Sequence, residues 1–281
     1  MTRLAAVLTA LLLGRFTPGA AQGDCFPGPA SNEAKTMAIF AVPLAFSRGN
    51  APDLLSGFQA GLELAYLPRV SDALATPTVC RPGKGPEHAN LLFGVPRPRL
   101  GLPLPLGLAL QVSWVPPVRV HGVKANLFGI SLEKAFGRLD GLVAAIRAHA
   151  TFGSIRAPIT CDDDALQDPA SECFGGTRSD DRLRPNIMGL DFAVGSSLAG
   201  GRLRPYAGAG YNRLEPRFQV NFTNQFGQLD NRRVEVNLDR LTLFGGGTWE
   251  ITQRLGLTGE LYAAPADAIT GRLVLRTAIG P

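Results

Sequence analysis

The chain has 281 residues, 45% hydrophobic, 7% aromatic and 18% charged, with a formal net charge of +5. Its 33 glycines and 22 prolines are about one residue in five against a usual share of roughly 12%; with no Gly-X-Y period and so many apolar neighbours, this excludes collagen and wholesale disorder and leaves turn-rich β structure. Basic residues are scattered rather than clustered, so the positive balance is no nucleic-acid footprint, and the length suits one domain without an internal linker.

In chain order, Arg3, the apolar run Leu4 to Leu13 and the small residues Gly19-Ala20-Ala21 read as a signal peptide over residues 1–21, removed on export. The run is too short for a membrane-spanning helix, which needs about 20 residues. Residues 22–35 are expected to form an N-terminal segment, and 36–281 a barrel domain. Four cysteines in an exported chain read as disulfides. Cys161 and Cys173 share the polar segment ITCDDDALQDPASECFGG and pair as a loop staple, which leaves Cys25 with Cys80. The spacing fits no zinc motif and Asp162-Asp163-Asp164 lacks an EF-hand pattern, so no metal or cofactor is expected.

From Gly57 onward the chain alternates. Phe58, Leu62, Leu64 and Tyr66 share one face, with Gln59, Gly61 and Glu63 on the other; Leu108, Leu110, Val112 and Trp114 oppose Ala109, Gln111 and Ser113; Met188, Leu190 and Phe192 oppose Gly189 and Asp191. This period of two marks strands of about ten residues. Candidates lie at 36–46, 56–67, 91–102, 106–115, 125–136, 141–154, 186–198, 203–213, 234–249, 255–263 and 271–279. GLVAAIRAHATF and DLLSGFQAGLELAYL also fit helical spacing but are read as strands, in keeping with their neighbours. A phase switch at Asp239 and Arg240 marks a bulge or a change of environment. Setting 36–46, which contains Pro43, outside the wall leaves ten strands, preferred over twelve because such barrels have even counts.

Short links (Leu102 to Pro105, Gly137 to Asp140, Ala199 to Arg202, Ile251 to Arg254) alternate with long polar ones (Pro68 to Asn90, Pro116 to Lys124, Ile155 to Pro185, Arg213 to Arg233). That is the pattern of an antiparallel transmembrane β-barrel with short periplasmic turns and long extracellular loops. The non-apolar face carries Gly, Ala, Ser, Thr, Gln and isolated charges, which suits a lumen better than a solvated surface. Trp114, Phe136, Phe152, Tyr211, Trp249 and Tyr262 are candidates for interfacial girdles.

The RPYAGAGYN strand at Arg204 to Asn212 after an AGGR turn, and the C-terminal pair GGGTWEITQRLGLTGELY and GRLVLRTAIG, together with the signal peptide, resemble a bacterial outer-membrane β-barrel protein family. The resemblance covers most of the mature chain and implies an architecture, an outer-membrane location and contact with outer-membrane lipid and the assembly machinery. It implies no activity and leaves the oligomeric state open. Members usually end on an aromatic residue, whereas this chain ends Ala278-Ile279-Gly280-Pro281.

Function is therefore sought in the lumen, whose expected ionisable residues are Glu63, Arg99, Glu133, Arg147, His149, Asp191, Glu260 and Arg276. They fit either a small pore or transport barrel, or a structural or surface-exposed barrel whose charges pair and fill the lumen. The alternatives are a membrane-embedded lipid-modifying enzyme and a soluble exported barrel binding a small ligand. An enzyme needs a nucleophile beside a base. Only His149, on a strand next to Ser131, offers one, without a nucleophile motif, while His88 and His121 fall in loops; no catalytic residue is expected. A hairpin centred near Asp267 and Ala268 would set Glu260 opposite Arg276, and a similar argument brings Arg147 toward Asp191.

Overall fold

A computed structural model describes residues 23–53, 57–139 and 141–279; the expected signal peptide lies outside them, as do Gly280 and Pro281. Among the described residues ten strands form the wall: β1 (Phe58–Tyr66), β2 (Gly94–Leu104), β3 (Leu108–Val115), β4 (Val123–Leu139), β5 (Leu142–Ala157), β6 (Ile187–Ser196), β7 (Leu203–Leu214), β8 (Leu238–Glu250), β9 (Leu255–Ala264) and β10 (Ala268–Ile279). Each pairs antiparallel with its sequence neighbours, and β1 closes the ring on β10, Phe58 opposite Ile279. Closure leaves no free strand edge, the condition for spanning hydrocarbon with strands.

Alternation in the wall sends Leu62, Leu64, Leu100, Leu190, Phe192, Leu243, Leu261 and Leu273 outward, exposed, and the polar phase inward, buried. The connections β2–β3, β4–β5, β6–β7 and β8–β9 are tight and share one mouth, where β1 begins and β10 ends; the long loops lie at the other. There β5 continues beyond the ring into a small sheet of Asp181–Arg184, Arg217–Gln219 and Arg233–Glu235. Both disulfides also sit on that side, Cys25 with Cys80 and Cys161 with Cys173.

Residues 36–46 are not a strand. Residues 36–44 belong to helix α1 (Asn32–Leu44), which begins where the Ser31 hydroxyl accepts the Ala34 N–H at 3.2 Å, with Glu33 in its first turn, and which ends on Ala45 as its C-cap with Phe46 beyond it. Its residues Ala34, Met37, Ala38, Ile39, Ala41, Val42 and Leu44 are buried over most of its circumference, as in a helix enclosed by protein. α1 enters from the long-loop mouth, where Cys25 exchanges backbone hydrogen bonds with Arg233 (2.8 Å) and Glu235 (2.9 Å). Residues 45–53 run on toward the short-turn mouth, where the Ala51 N–H donates to Thr248 at 3.0 Å and Asp53 meets Arg204. The N-terminal segment therefore extends past residue 35 through the whole lumen, and the wall starts only at Phe58.

Of the two readings of the phase switch one holds, and one register expectation changes. β8 pairs with β7 from Leu238 to Trp249 without interruption, so the switch at Asp239 is one of environment: Leu238 packs inward under the loops and Leu241 faces out. The β9–β10 hairpin turns at Pro265 to Asp267, with Ala264 opposite Ala268. Glu260 therefore stands opposite Arg272, and Arg276 opposite Gly256. Proline is favoured at the second position of a turn, which draws the bend two residues earlier than expected.

Candidate functional site

All eight expected lumenal residues, Glu63, Arg99, Glu133, Arg147, His149, Asp191, Glu260 and Arg276, are buried on the inner face. What they face is the N-terminal segment. Arg48, only 1% exposed, reaches Glu133 at 2.6 Å and Asp191 at 2.9 Å. Asp191 also accepts from Arg147 Nε at 3.0 Å and Nη2 at 2.6 Å, across a β5–β6 pair in direct register. This part of the wall carries two carboxylates for one guanidinium, and Arg48 supplies the missing positive charge. A buried charge is tolerated only with such partners.

On the β1–β2 side the imbalance is reversed. Glu63 accepts from Arg99 at 2.6 Å and from the Ser47 hydroxyl at 2.8 Å, with Arg97 at 4.0 Å. Arg99 also donates to Ser47 O (2.9 Å), Arg48 O (3.1 Å) and Gln111 (2.7 Å), its guanidinium 4.5 Å from the Phe46 ring centroid. Arg97 donates to Leu44 O at 3.2 Å, and Arg272, bound to Glu260 at 3.1 Å, donates to Val42 O at 3.1 Å and Pro43 O at 3.4 Å. The surplus wall cations thus cap the carbonyls at the C-terminus of α1, where the helix dipole favours positive charge. Backbone geometry supports the contact: Gly49 has φ +76°, and a Cβ there would meet Arg99 at 2.7 Å.

Arg48, Arg97 and Arg272 were not among the expected site residues. Arg97 and Arg272 share the phase of Arg99 and Arg276, so alternation pointed to them. Arg48 lies outside any strand and carried no such signal. Arg276 sits lower than expected, at the short-turn mouth, bonded to Glu250, which also binds Arg204. These groups, with Asn50, Gln59 and Arg202, line an open cavity of about 700 Å³. Trp114, Phe136, Phe152, Tyr211 and Trp249 face outward, but Tyr262 points inward, 2% exposed; its hydroxyl accepts from Asn212 at 2.6 Å and its ring lies 4.1 Å from Arg272.

Ser131 is directly opposite His149, yet neither Ser131 Oγ nor His149 Nδ1 makes a hydrogen bond, and His149 Nε2 is 3.6 Å from an Asp191 oxygen already bound by Arg147. The nucleophile–base contact that acyl chemistry needs is not made. Among the described residues no three His, Cys, Asp or Glu side chains gather at a metal site. His88, in the long loop after β1, faces Asp162 at 2.8 Å, and His121 occupies a turn with φ +47°.

Above the wall, Asp181 is fully buried. It accepts the N–H groups of Ile159 (3.0 Å), Thr160 (2.6 Å) and Asn221 (2.9 Å) and the Ser179 hydroxyl (2.8 Å), tying the 158–186 loop to the loop after β7. Burial pushes its carboxyl up despite these donors, and burial likewise raises Glu87 against the pull of Lys84 and Arg81.

The sequence matches no protein-family model and no curated protein. Solved structures that align with it include Ail, the attachment invasion locus protein of Yersinia pestis (9% identity, 80% of this chain and 98% of that one, TM-score 0.32). Neisserial surface protein A (11%, 80% and 98%, TM-score 0.29) and the outer membrane protein Omp33 of Acinetobacter baumannii (9%, 83% and 100%, TM-score 0.31) align over similar spans.

Proposed function

We propose that this protein is an outer-membrane β-barrel kept closed by its own N-terminal segment, and that it acts through its long-loop surface rather than as an open pore. The carrying observation is Arg48, which joins the N-terminal segment to Glu133 and Asp191 on the wall. The segment is matched to the lumen in charge as well as in shape, so it is part of the fold. The membrane reading is supported by the faces of the wall: leucine and aromatic side chains cover the exterior while Arg97, Arg99, Arg147 and Arg272 are buried inside. An Arg turned to lipid at the midplane would cost about 2–4 kcal/mol. A soluble barrel would require the opposite arrangement.

The test is planar-bilayer conductance of refolded protein whose barrel is verified by heat-modifiable gel migration. Folded protein that passes no steady current fits the closed barrel. Steady single-channel current from the unmodified chain would overturn it in favour of a pore.

A further inference from the structure

Strand register at the long-loop mouth lines up cations that lie far apart in sequence. Arg119 stands opposite Lys124, Lys124 opposite Arg156, Arg156 opposite Arg182, Arg182 opposite Gln219 and Gln219 opposite Arg233. Directly opposed residues of a sheet share a face. A second row below or above it sets Arg184 opposite Arg217 and Arg217 opposite Glu235. The face is the outer one, because the intervening Leu183 and Val234 are buried and Leu183, Phe218 and Val234 line a cavity against α1.

Little compensates these charges. Asp180 serves both Arg156 (3.0 Å) and Arg119 (3.7 Å), and Glu235 serves Arg217 (3.1 Å). Among the described residues Lys124, Arg182, Arg184 and Arg233 make no ion pair, and Arg182 Nε is out of solvent without a hydrogen-bond partner. Partial burial, then repulsion from Arg184 and Arg156, hold Arg182 below its ordinary value. Like charges set opposite one another in a sheet are destabilising, so the row has a cost that a multivalent anion would offset.

The position of the row favours lipid as the source of that anion. On β4 and β5 the pair Lys124 and Arg156 lies four residues nearer the long-loop mouth than the outward ring pair Phe128 and Phe152 (centroids 5.1 Å apart), on the same face. Trp114, bonded to Asn126 at 3.1 Å, stands beside them. Four residues are about 13 Å along a strand, or roughly 10 Å of height at a tilt near 40°. That puts the backbone of Lys124 and Arg156 a few ångströms above a headgroup layer about 5–8 Å deep, from which long basic side chains bend back to anionic groups. Six strand segments, counting Arg119–Val120 beside β4, at about 4.8 Å spacing give a row roughly 24 Å long that slopes with the strand tilt and is roughly 18 Å wide in the membrane plane, enough for more than one headgroup.

We infer that this basic row is a binding surface for phosphorylated lipid headgroups in the surrounding leaflet, with the guanidinium forks of Arg182 and Arg184 as its core. Arg engages phosphate through paired N–H donors. The inference rests on the membrane reading above, and the experiment separates the two.

Refolded full-length mature protein in neutral micelles is titrated with diphosphorylated lipid A and with the same lipid stripped of phosphate, and bound lipid is counted by native mass spectrometry. The parent is expected to prefer the phosphorylated form at least tenfold. The K124Q/R182Q/R184Q variant, altered only at exposed or half-exposed unpaired side chains, is expected to lose that preference, while R254Q at the opposite mouth keeps it. Equal binding of the two lipids, or an undiminished preference in the triple variant, would overturn the inference. So would capture of soluble heparin by the row with no discrimination between the lipids, which would assign it to a water-borne polyanion. Heat-modifiable migration, measured on every sample, reports the barrel separately: its loss in the parent would refute the membrane reading rather than the lipid site.

Discussion

Arg48→Met keeps most of the volume of the side chain in the lumen but removes the cation that Glu133 and Asp191 share. Asp191 retains Arg147 through two hydrogen bonds, whereas Glu133 loses its ion pair, so the penalty is that of one orphaned buried carboxylate. Breaking a buried pair from one side costs about 3–5 kcal/mol, which lowers the docked-to-undocked ratio of the N-terminal segment by roughly two to three and a half powers of ten. The segment cannot leave, because the Cys25–Cys80 disulfide closes a 55-residue span, a constraint of about 4 kcal/mol in the chain-entropy account. Amide exchange read by mass spectrometry should therefore show α1 and residues 45–50 exchanging faster by about that factor, with β4 to β7 little changed. Brief current openings should follow when the disulfide is also reduced. Arg48→Lys, which restores a point charge, should recover part of the protection. If Arg48→Met leaves α1 exchange and bilayer silence as in the parent, the ion pairs do not hold the segment in the lumen.

Cys25→Ser with Cys80→Ser should leave the barrel heat-modifiable yet raise α1 exchange, since the helix keeps its Arg97 and Arg272 caps but loses its tether; a lost barrel fold would contradict this. Gly129→Val should lower the urea midpoint by an amount equivalent to about 1–3 kcal/mol, because a Cβ there would lie 2.3 Å from the Phe46 ring; an unchanged midpoint would show that Phe46 does not pack against β4. Asp181 has its pKa raised by burial above the ordinary 3.8. Its contribution to stability is therefore full below that value and is lost as pH rises through the raised one. Exchange protection of the 158–186 loop, corrected for intrinsic rates, should fall over that window, and Asp181→Asn should flatten the profile.

The wall was legible because an apolar exterior and a charged interior impose a period of two on every strand, and the Glu63, Glu133 and Asp191 positions follow from that phase alone. The long loops were legible from their Pro, Gly and Asp content, and the cysteines from sharing or not sharing a loop. Helix α1 was not. NEAKTMAIFAVPL is apolar on nearly all sides, as an enclosed helix must be, so it lacks the stripe that distinguishes a surface helix, and an apolar run of that length between breakers also reads as a strand. The overlooked signals were local: Ser31 at the cap and Glu33 in the first turn. The register of β9 and β10 failed on two residues of turn placement, which moved the partner of Glu260 by four positions, from Arg276 to Arg272.

The lumen explains why a wall reading alone could not decide between a pore and a closed barrel. Counting only the strands, Glu63, Glu133, Asp191 and Glu260 balance Arg97, Arg99, Arg147 and Arg272 one for one, and a self-paired wall would need nothing from the rest of the chain. The charges are nevertheless segregated: the β4–β6 side is short of a cation, and the β1, β2 and β10 side has cations to spare. Neither imbalance can be met across the bore without passing through α1, whose diameter with side chains is about 10 Å. The N-terminal segment meets both, with Arg48 toward the acidic side and the carbonyls of Val42, Pro43 and Leu44 toward the basic side. A segment that merely occupied space would have no reason to present a positive group and a negative helix end in opposite directions within six residues. The fit of segment to wall is thus encoded twice, in the wall and in the segment, and only the wall half carries a periodicity that sequence patterning can detect.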